Sequence, residues 1–250
     1  MSEFRRILLD GAPVQTERHG DELVARDGRV VGIEQAIHLP PCEPTKIIAV
    51  HLNYDSRTQE FMTKLPPAPT YFHKPITALN SHKGAVVRPE RCKWLNYEGE
   101  IVIVIGRTAR NISPQEAGDY IAGYTVGNDI SSEGSWQPDI SNWRKKGCDT
   151  FGPVGPWLVT TDEVPNPQAL DVWLEVNGNL MQDGNTRDMI FGVAHLVSHV
   201  SQYMTLLPGD IITTGTPAGV GMGRKPEPVF LKPGDVMTLG IKGLGEQRQR

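Results

Sequence analysis

The densest apolar run in the chain is "IVIVI", residues 101–105, five β-branched side chains in a row. It is too short for a buried helix and reads as a strand covered on both faces. Immediately ahead of it stand Glu98 and Glu100, two charges at the edge of a buried segment. Elsewhere the pattern is one of short strands and turns. Over residues 1–38, "RRILLDG" and "DELVARDGRVVGI" alternate apolar and polar positions, and Asp27-Gly28 between apolar arms predicts a hairpin. The proline-rich "LPPCEPTK" then predicts a linker, dividing the chain into a small N-terminal β unit with its linker, residues 1–43, and a main body, residues 44–250.

In the main body "KIIAVHLNY" and "YTVGNDI" read as strands ending in polar residues, and "ALDVWLEVNGNLMQDGN" as a hairpin turning at Asn177-Gly178. Ile190, Val193, Ala194, Val197, Val200 and Met204 fall near helical spacing and predict an amphipathic helix. In "SPQEAGDYIAGY", Ser113 and Glu116 have the spacing of a capping box opening a short helix. Residues 131–147 carry no period and predict a functional loop. The 26 glycines and 20 prolines in 250 residues weigh toward turns, so the fold class is α+β, mainly β.

A formal net charge of -4 provides no broad basic field, which excludes nucleic acid and membrane surfaces as the first expectation and favours a small-molecule partner. Cys42, Cys92 and Cys148 show no CxxC spacing, so free thiols are expected. No stretch approaches the roughly 18 apolar residues of a membrane span, and the N-terminal apolar run is too short for a secretion signal. A cytoplasmic protein is expected.

Side chains two apart on a strand share a face, so Glu98 and Glu100 project together about 6 to 7 Å apart along the backbone. Two such charges face water, pair with Lys or Arg, or take up a divalent cation; all-oxygen ligands select a hard ion, Mg²⁺, Mn²⁺ or Ca²⁺. Asp129, at the end of "TVGNDIS", is a turn former or a third carboxylate for the same ion.

Taken in order, "NYEGEIVIVIGRTARNISPQEAGDYIAGYTVGNDIS", "KGCDTFGPVGPWLVT", "VNGNLMQDGNTRDMIF" and "LLPGDIITTGTPAGVG" resemble the signature segments of the fumarylacetoacetate hydrolase family, over roughly residues 46–245. "HLNYDSR" is similar to the branch containing the homoprotocatechuate-pathway 2-hydroxyhepta-2,4-diene-1,7-dioate isomerase and 5-oxopent-3-ene-1,2,5-tricarboxylate decarboxylase. The resemblance implies a β-roll around a divalent metal, Mg²⁺ or else Mn²⁺ or Ca²⁺, usually in a homodimer. It makes Glu98, Glu100 and Asp129 the metal ligands and Lys146 the active-site lysine. It makes Gly215 and Thr216 the holders of a substrate carboxylate, Lys74 a residue near the pocket, and Glu60 the acid of a lid His/Glu pair.

Two departures stand out. The family's "NYxxHxxE" reads "NYDSRTQE", so Arg57 replaces the histidine that activates water; a guanidinium cannot be a general base at neutral pH, but it can hold a carboxylate by a bidentate fork. The common "SARDxQ" reads "SSEGSW" from Ser131 to Trp136, without the Arg and Gln that contact substrate in many relatives. His51 and His73 are candidates for the missing base, against a packing role for each, and Cys148 beside Lys146 is expected to pack.

The implied activity is isomerisation or decarboxylation of a 2-oxo or 2-hydroxy-2,4-diene dicarboxylic acid in aromatic-compound catabolism, through an enolate that the metal stabilises as Lewis acid. The alternatives are a C–C hydrolase of an acylpyruvate, of fumarylpyruvate or fumarylacetoacetate type, and a non-catalytic binder of 2-oxo acids.

Overall fold

The computed structural model describes residues 3–134 and 138–250. The N-terminal strands β1 (Phe4–Leu9), β2 (Ala12–His19), β3 (Glu22–Ala25), β4 (Val30–Gly32) and β5 (Ile37–His38) make one five-stranded sheet of order β4-β3-β2-β1-β5. Its apolar cluster of Ile7, Leu23 and Ala36 is its own. The expected turn at Asp27-Gly28 joins β3 to β4, with Gly28 N–H donating to Ala25 O at 2.9 Å.

The main body follows with β6 (Ile47–His51), α1 (Asp55–Glu60), β7 (Thr70–Lys74), β8 (Leu79–Asn80), β9 (Trp94–Asn96), β10 (Gly99–Ile105) and β11 (Ile121–Asn128). Next come β12 (Ser131–Glu133), α2 (Trp143–Lys146), β13 (Gly152–Pro153), β14 (Val159–Thr160), and the hairpin of β15 (Asp171–Val176) and β16 (Asn179–Asn185). The chain ends with α3 (Val193–Tyr203), β17 (Ile211–Thr213), β18 (Met237–Ile241) and β19 (Gly245–Gln249). A six-stranded sheet of order β14-β11-β10-β17-β6-β7 lies beside a four-stranded sheet of order β16-β15-β18-β19, with two short pairs, β12-β9 and β13-β8.

Strand β10 is buried along its whole length, as its unbroken apolar run requires. Ile101, Ile103 and Ile105 point into the main core, where Leu196, Val197 and Val200 of α3 also pack. Val102 and Val104 point the other way, against Ile47, Val154 and Ile211. Each such side chain contributes about 1.5 to 3 kcal/mol on burial, so β10 is a stiff support for whatever precedes it.

Three local expectations change. The capping box forms, with Ser113 N–H and Oγ–H both donating to Glu116 Oε2 at 2.8 and 2.7 Å. It opens only one 3₁₀ turn, Ala117–Tyr120, because Tyr120 O accepts from Gly106 N–H at 2.7 Å and pulls the chain into β11. The polar segment after Tyr54 contains a six-residue helix, α1, and the proline-rich stretch after it contains strand β7. Residues 131–147, expected as a loop, include β12 and α2, although Ser135 and Trp136 of the divergent "SSEGSW" lie outside the described residues. Cys42, Cys92 and Cys148 are free thiols, and no described helix is long and apolar enough to cross a membrane.

Candidate active site

Antiparallel pairing of β10 with β11 sets Gly99 against Asn128 and Glu100 against Gly127. One step outward, Asp129 N–H donates to Glu98 O at 2.9 Å, and Glu98 N–H donates to Asn128 Oδ1 at 2.9 Å. Register therefore brings together three carboxylates from two strands. Ligand oxygens of Glu98, Glu100 and Asp129 lie within 4.8 Å of one another, with Glu100 and Asp129 buried.

Two lysines answer these charges. Lys146, the last residue of α2, donates to Glu98 Oε2 and to Asp129 Oδ2, each at 2.6 Å. Lys74, on β7, is ion-paired with Asp129 Oδ1 and reaches Ile130 O at 3.3 Å. Burial raises the Asp129 pKa, but the Lys146 and Lys74 ammoniums outweigh it and hold this carboxyl below its ordinary range. Lys146 is itself raised: burial works against its charge, and Asp129 and Glu98 prevail.

Glu100 is different. Its side chain is 1% exposed, it accepts one hydrogen bond, from Gly215 N–H at 2.8 Å, and it has no ion-pair partner among the described residues. Burial, then the charges of Asp129 and Glu98, push its carboxyl well above the ordinary range. A buried carboxylate is costly unless a cation or several donors compensate it. Three converging carboxylates, one without a cation of its own, suit a hard divalent ion, so the donor set fits the expected metal.

A cavity of about 250 Å³ opens beside this cluster, lined in part by Glu98, Glu100, Lys146, Gly215 and Thr216. Gly215 has φ +88, and a Cβ there would come within 2.9 Å of Asn53 Cβ, so this turn requires glycine. Asn53, fully buried, braces the turn by donating from Nδ2 to Thr214 O at 2.8 Å and to Phe191 O at 3.0 Å. The Thr216 hydroxyl donates to Gly99 O and accepts from Gln182 Nε2, both at 2.8 Å. Its hydroxyl proton is thus committed to the metal-site strand, which leaves its backbone to face a ligand.

Arg57 lines the cavity from α1, with Nη1 at 2.5 Å from Glu60 Oε2, Nη2 at 3.6 Å from Glu98 Oε1, and its guanidinium 4.0 Å above the Phe61 ring. Glu60 Oε1 accepts from Gly219 N–H at 2.9 Å, and a Cβ on Gly223 would meet the Glu60 carboxyl carbon at 2.2 Å. Glu60 is therefore an anchor seated on the loop after Thr216, rather than a wall of the cavity.

Of the remaining candidates, Lys74 stands behind Asp129 and does not line this cavity. His51, exposed at the end of β6, does line it, and partial desolvation, then Lys146, lower its pKa. His73 points outward, because alternation on β7 buries Phe72 and Lys74. Cys148 is half-buried and donates to Arg144 O, the packing role expected. Sequence reasoning missed Asn53, Gln182, Lys145 and Glu133; Asn53 carried a signal, as an amide at the end of the apolar run "KIIAVHLNY".

Residues 46–250 match the model of the fumarylacetoacetate (FAA) hydrolase C-terminal family. A 2,4-didehydro-3-deoxy-L-rhamnonate hydrolase of Sphingomonas sp. (strain SKA58) is 50% identical over 206 residues, which cover 82% of this chain and 72% of that protein. A 5-carboxymethyl-2-hydroxymuconate delta-isomerase from Mycobacterium smegmatis has a similar structure, with TM-score 0.86 at 32% identity, covering 100% of this chain and 97% of the other. A fumarylacetoacetate hydrolase from Exiguobacterium antarcticum has TM-score 0.87 at 30% identity, covering 100% and 99%.

Proposed function

The chain belongs to the fumarylacetoacetate hydrolase family, and from that premise we propose that it is a divalent-metal-dependent enzyme acting on a 2-oxo acid through an enolate. Glu98, Glu100 and Asp129 would hold the ion, Mg²⁺ or Mn²⁺, whose Lewis acidity stabilises negative charge developing on the C2 oxygen. The convergence of these three carboxylates, with Glu100 lacking a cation of its own, carries the reading.

The chain's own residues divide the remaining work. Lys146 holds Glu98 and Asp129 in place and adds positive charge beside the reacting oxygen. The Thr216 backbone receives the substrate C1 carboxylate. Arg57 closes α1 over the cavity and, being permanently charged, takes no proton. His51 moves the proton, since it lines the cavity while both Glu60 oxygens are held by Arg57 and Gly219.

With no base on the lid to activate water, isomerisation or decarboxylation ranks first. Hydrolysis of a C–C bond is the second reading, favoured by the 50% identity to the deoxyrhamnonate hydrolase. Incubation with Mg²⁺ and either a 2-hydroxy-2,4-dienoic acid or an acylpyruvate separates them. Relocation of the diene double bonds supports the first; cleavage of the acylpyruvate alone replaces it by the second.

A further inference from the structure

Resting on the 2-oxo acid reading, we infer that Gln182 is a positioning residue. Its carboxamide fixes the metal-site strand against the turn at Thr216, so that an ion on the one and a substrate carboxylate on the other are held at a set separation.

The edge of β10 shows why such a brace is needed. On one side β10 pairs with β11 along its whole length, but on the other β17 pairs only with residues 102–104. Among the described residues no strand takes up that second edge over residues 99–101, the stretch that carries Glu100. Side chains do so instead. Gly99 N–H donates to Gln182 Oε1 at 2.9 Å, Gly99 O accepts from the Thr216 hydroxyl at 2.8 Å, and Ile101 O accepts from the Thr214 hydroxyl at 2.9 Å. Backbone groups left unpaired in a buried strand are costly, so these surrogate bonds are a condition of where the strand lies.

Gln182 is the member that spans the gap between the sheets. It lies on β16, opposite Leu174, and is 1% exposed. From there Oε1 holds Gly99, between the two glutamates, while Nε2 donates to Thr216 Oγ1 at 2.8 Å and to Pro217 O at 2.9 Å. The amide has one orientation, because Gly99 N–H can only donate and Pro217 O can only accept. Packing adds to the bonds: a Cβ on Gly184, two residues along, would meet Pro217 Cβ at 2.7 Å. The three carboxylates come together through the pairing of β10 with β11, in which Gln182 takes no part. What Gln182 sets is the place of the Thr216 turn relative to them.

Calorimetry with Mg²⁺, and then with oxalate on the Mg²⁺-loaded protein, separates the two. Oxalate presents a carboxylate and an adjacent oxygen in one plane, as an enolised 2-oxo acid does. Gln182→Met should leave the Mg²⁺ affinity within about threefold of wild type and weaken oxalate about tenfold, the order expected when binding groups are slightly misplaced. In a Thr216→Val background the same change should weaken oxalate by no more than about threefold, because the two residues act through one hydrogen bond and their effects do not add. A merely structural role would give independent losses. Thr216→Ser, which keeps the hydroxyl, should restore the full effect of Gln182→Met. Gln182→Asn, an amide one methylene too short to span the gap, carries the same expectations where the methionine variant does not fold. Unchanged oxalate affinity in the Gln182 variants, an equal loss for Mg²⁺, or losses that multiply with Thr216→Val overturn this inference alone. Failure of the wild type to bind oxalate with Mg²⁺ present overturns both it and the 2-oxo acid reading.

Discussion

Ionisable groups are buried in two places in this protein, with opposite results. At the edge of β10 and β11, Asp129 and Lys146 stay charged because each has an opposite charge within hydrogen-bond reach. At the seam between the N-terminal sheet and the main body burial prevails instead, although Arg5 has Glu3 Oε2 at 3.3 Å and Glu34 acts on His38. Arg5, 4% exposed, lies 4.4 Å over the Trp157 ring, and His38 meets His82 edge-on at 5.0 Å. Burial, then Arg5, pushes His38 down to about 4, and burial, then His38 and Arg5, pushes His82 to about 3. His82 accordingly accepts a hydrogen bond, from Arg248 N–H at 3.2 Å, as a neutral ring does. Arg5 Nε, His38 Nδ1 and Trp157 Nε1 have no partner among the described residues. Burial alone makes no active site. What distinguishes one is charge held against burial by alternating signs, with a single carboxylate left over.

That leftover charge gives the sharpest way to break the contrast. Glu100→Gln keeps the shape and removes the buried charge. Turnover should fall at least a thousandfold, about 4 kcal/mol, and Mg²⁺ should no longer raise the melting temperature. The metal-free variant should melt higher than wild type, by a few degrees, because the amide relieves an uncompensated buried carboxyl. A metal-free variant that melts lower would mean that Glu100 is already satisfied.

A smaller effect tests the lid. Arg57→Ala should lower kcat/KM by about a hundredfold, near 3 kcal/mol, since Glu60 and Glu98 both lose a partner. Arg57→Lys should recover little, because one ammonium cannot span both carboxylates. Full activity in the lysine variant would reduce Arg57 to a point charge.

The smallest effect belongs to the seam. His38 has a folded pKa below its unfolded value, so the unfolded chain takes up the proton first as pH falls, and stability present above pH 6.5 is lost toward about pH 4. Urea unfolding at pH 7 and pH 4.5 should show His38→Gln losing roughly 2 kcal/mol less than wild type over that interval. Parallel losses in the two proteins would remove His38 from the account.

Part of the site was legible before any fold was known, and β10 shows why. Five β-branched residues in a row leave one local conformation, and alternation then sends Glu98 and Glu100 the same way whatever lies around them. Arg57 was equally readable in what it cannot do, since no environment makes a guanidinium a base at neutral pH. Asn53 was visible as an amide closing an apolar run, although the carbonyls it braces were not.

The roles of the lysines came only with the tertiary structure. Lys146 and Lys145 are adjacent and chemically identical, yet one is buried between Glu98 and Asp129 and the other lies 4.0 Å from Glu133. Lys74 meets Asp129 across 55 residues, and Lys146 meets Glu98 across 48. Sequence alone determined which segments become strands and which carboxylates share a face, because those follow from backbone geometry over a few residues. Which cation meets which acid, and which acid is left for a metal, depended on sheet register and on how far each group is removed from water, and both are set by the whole chain at once.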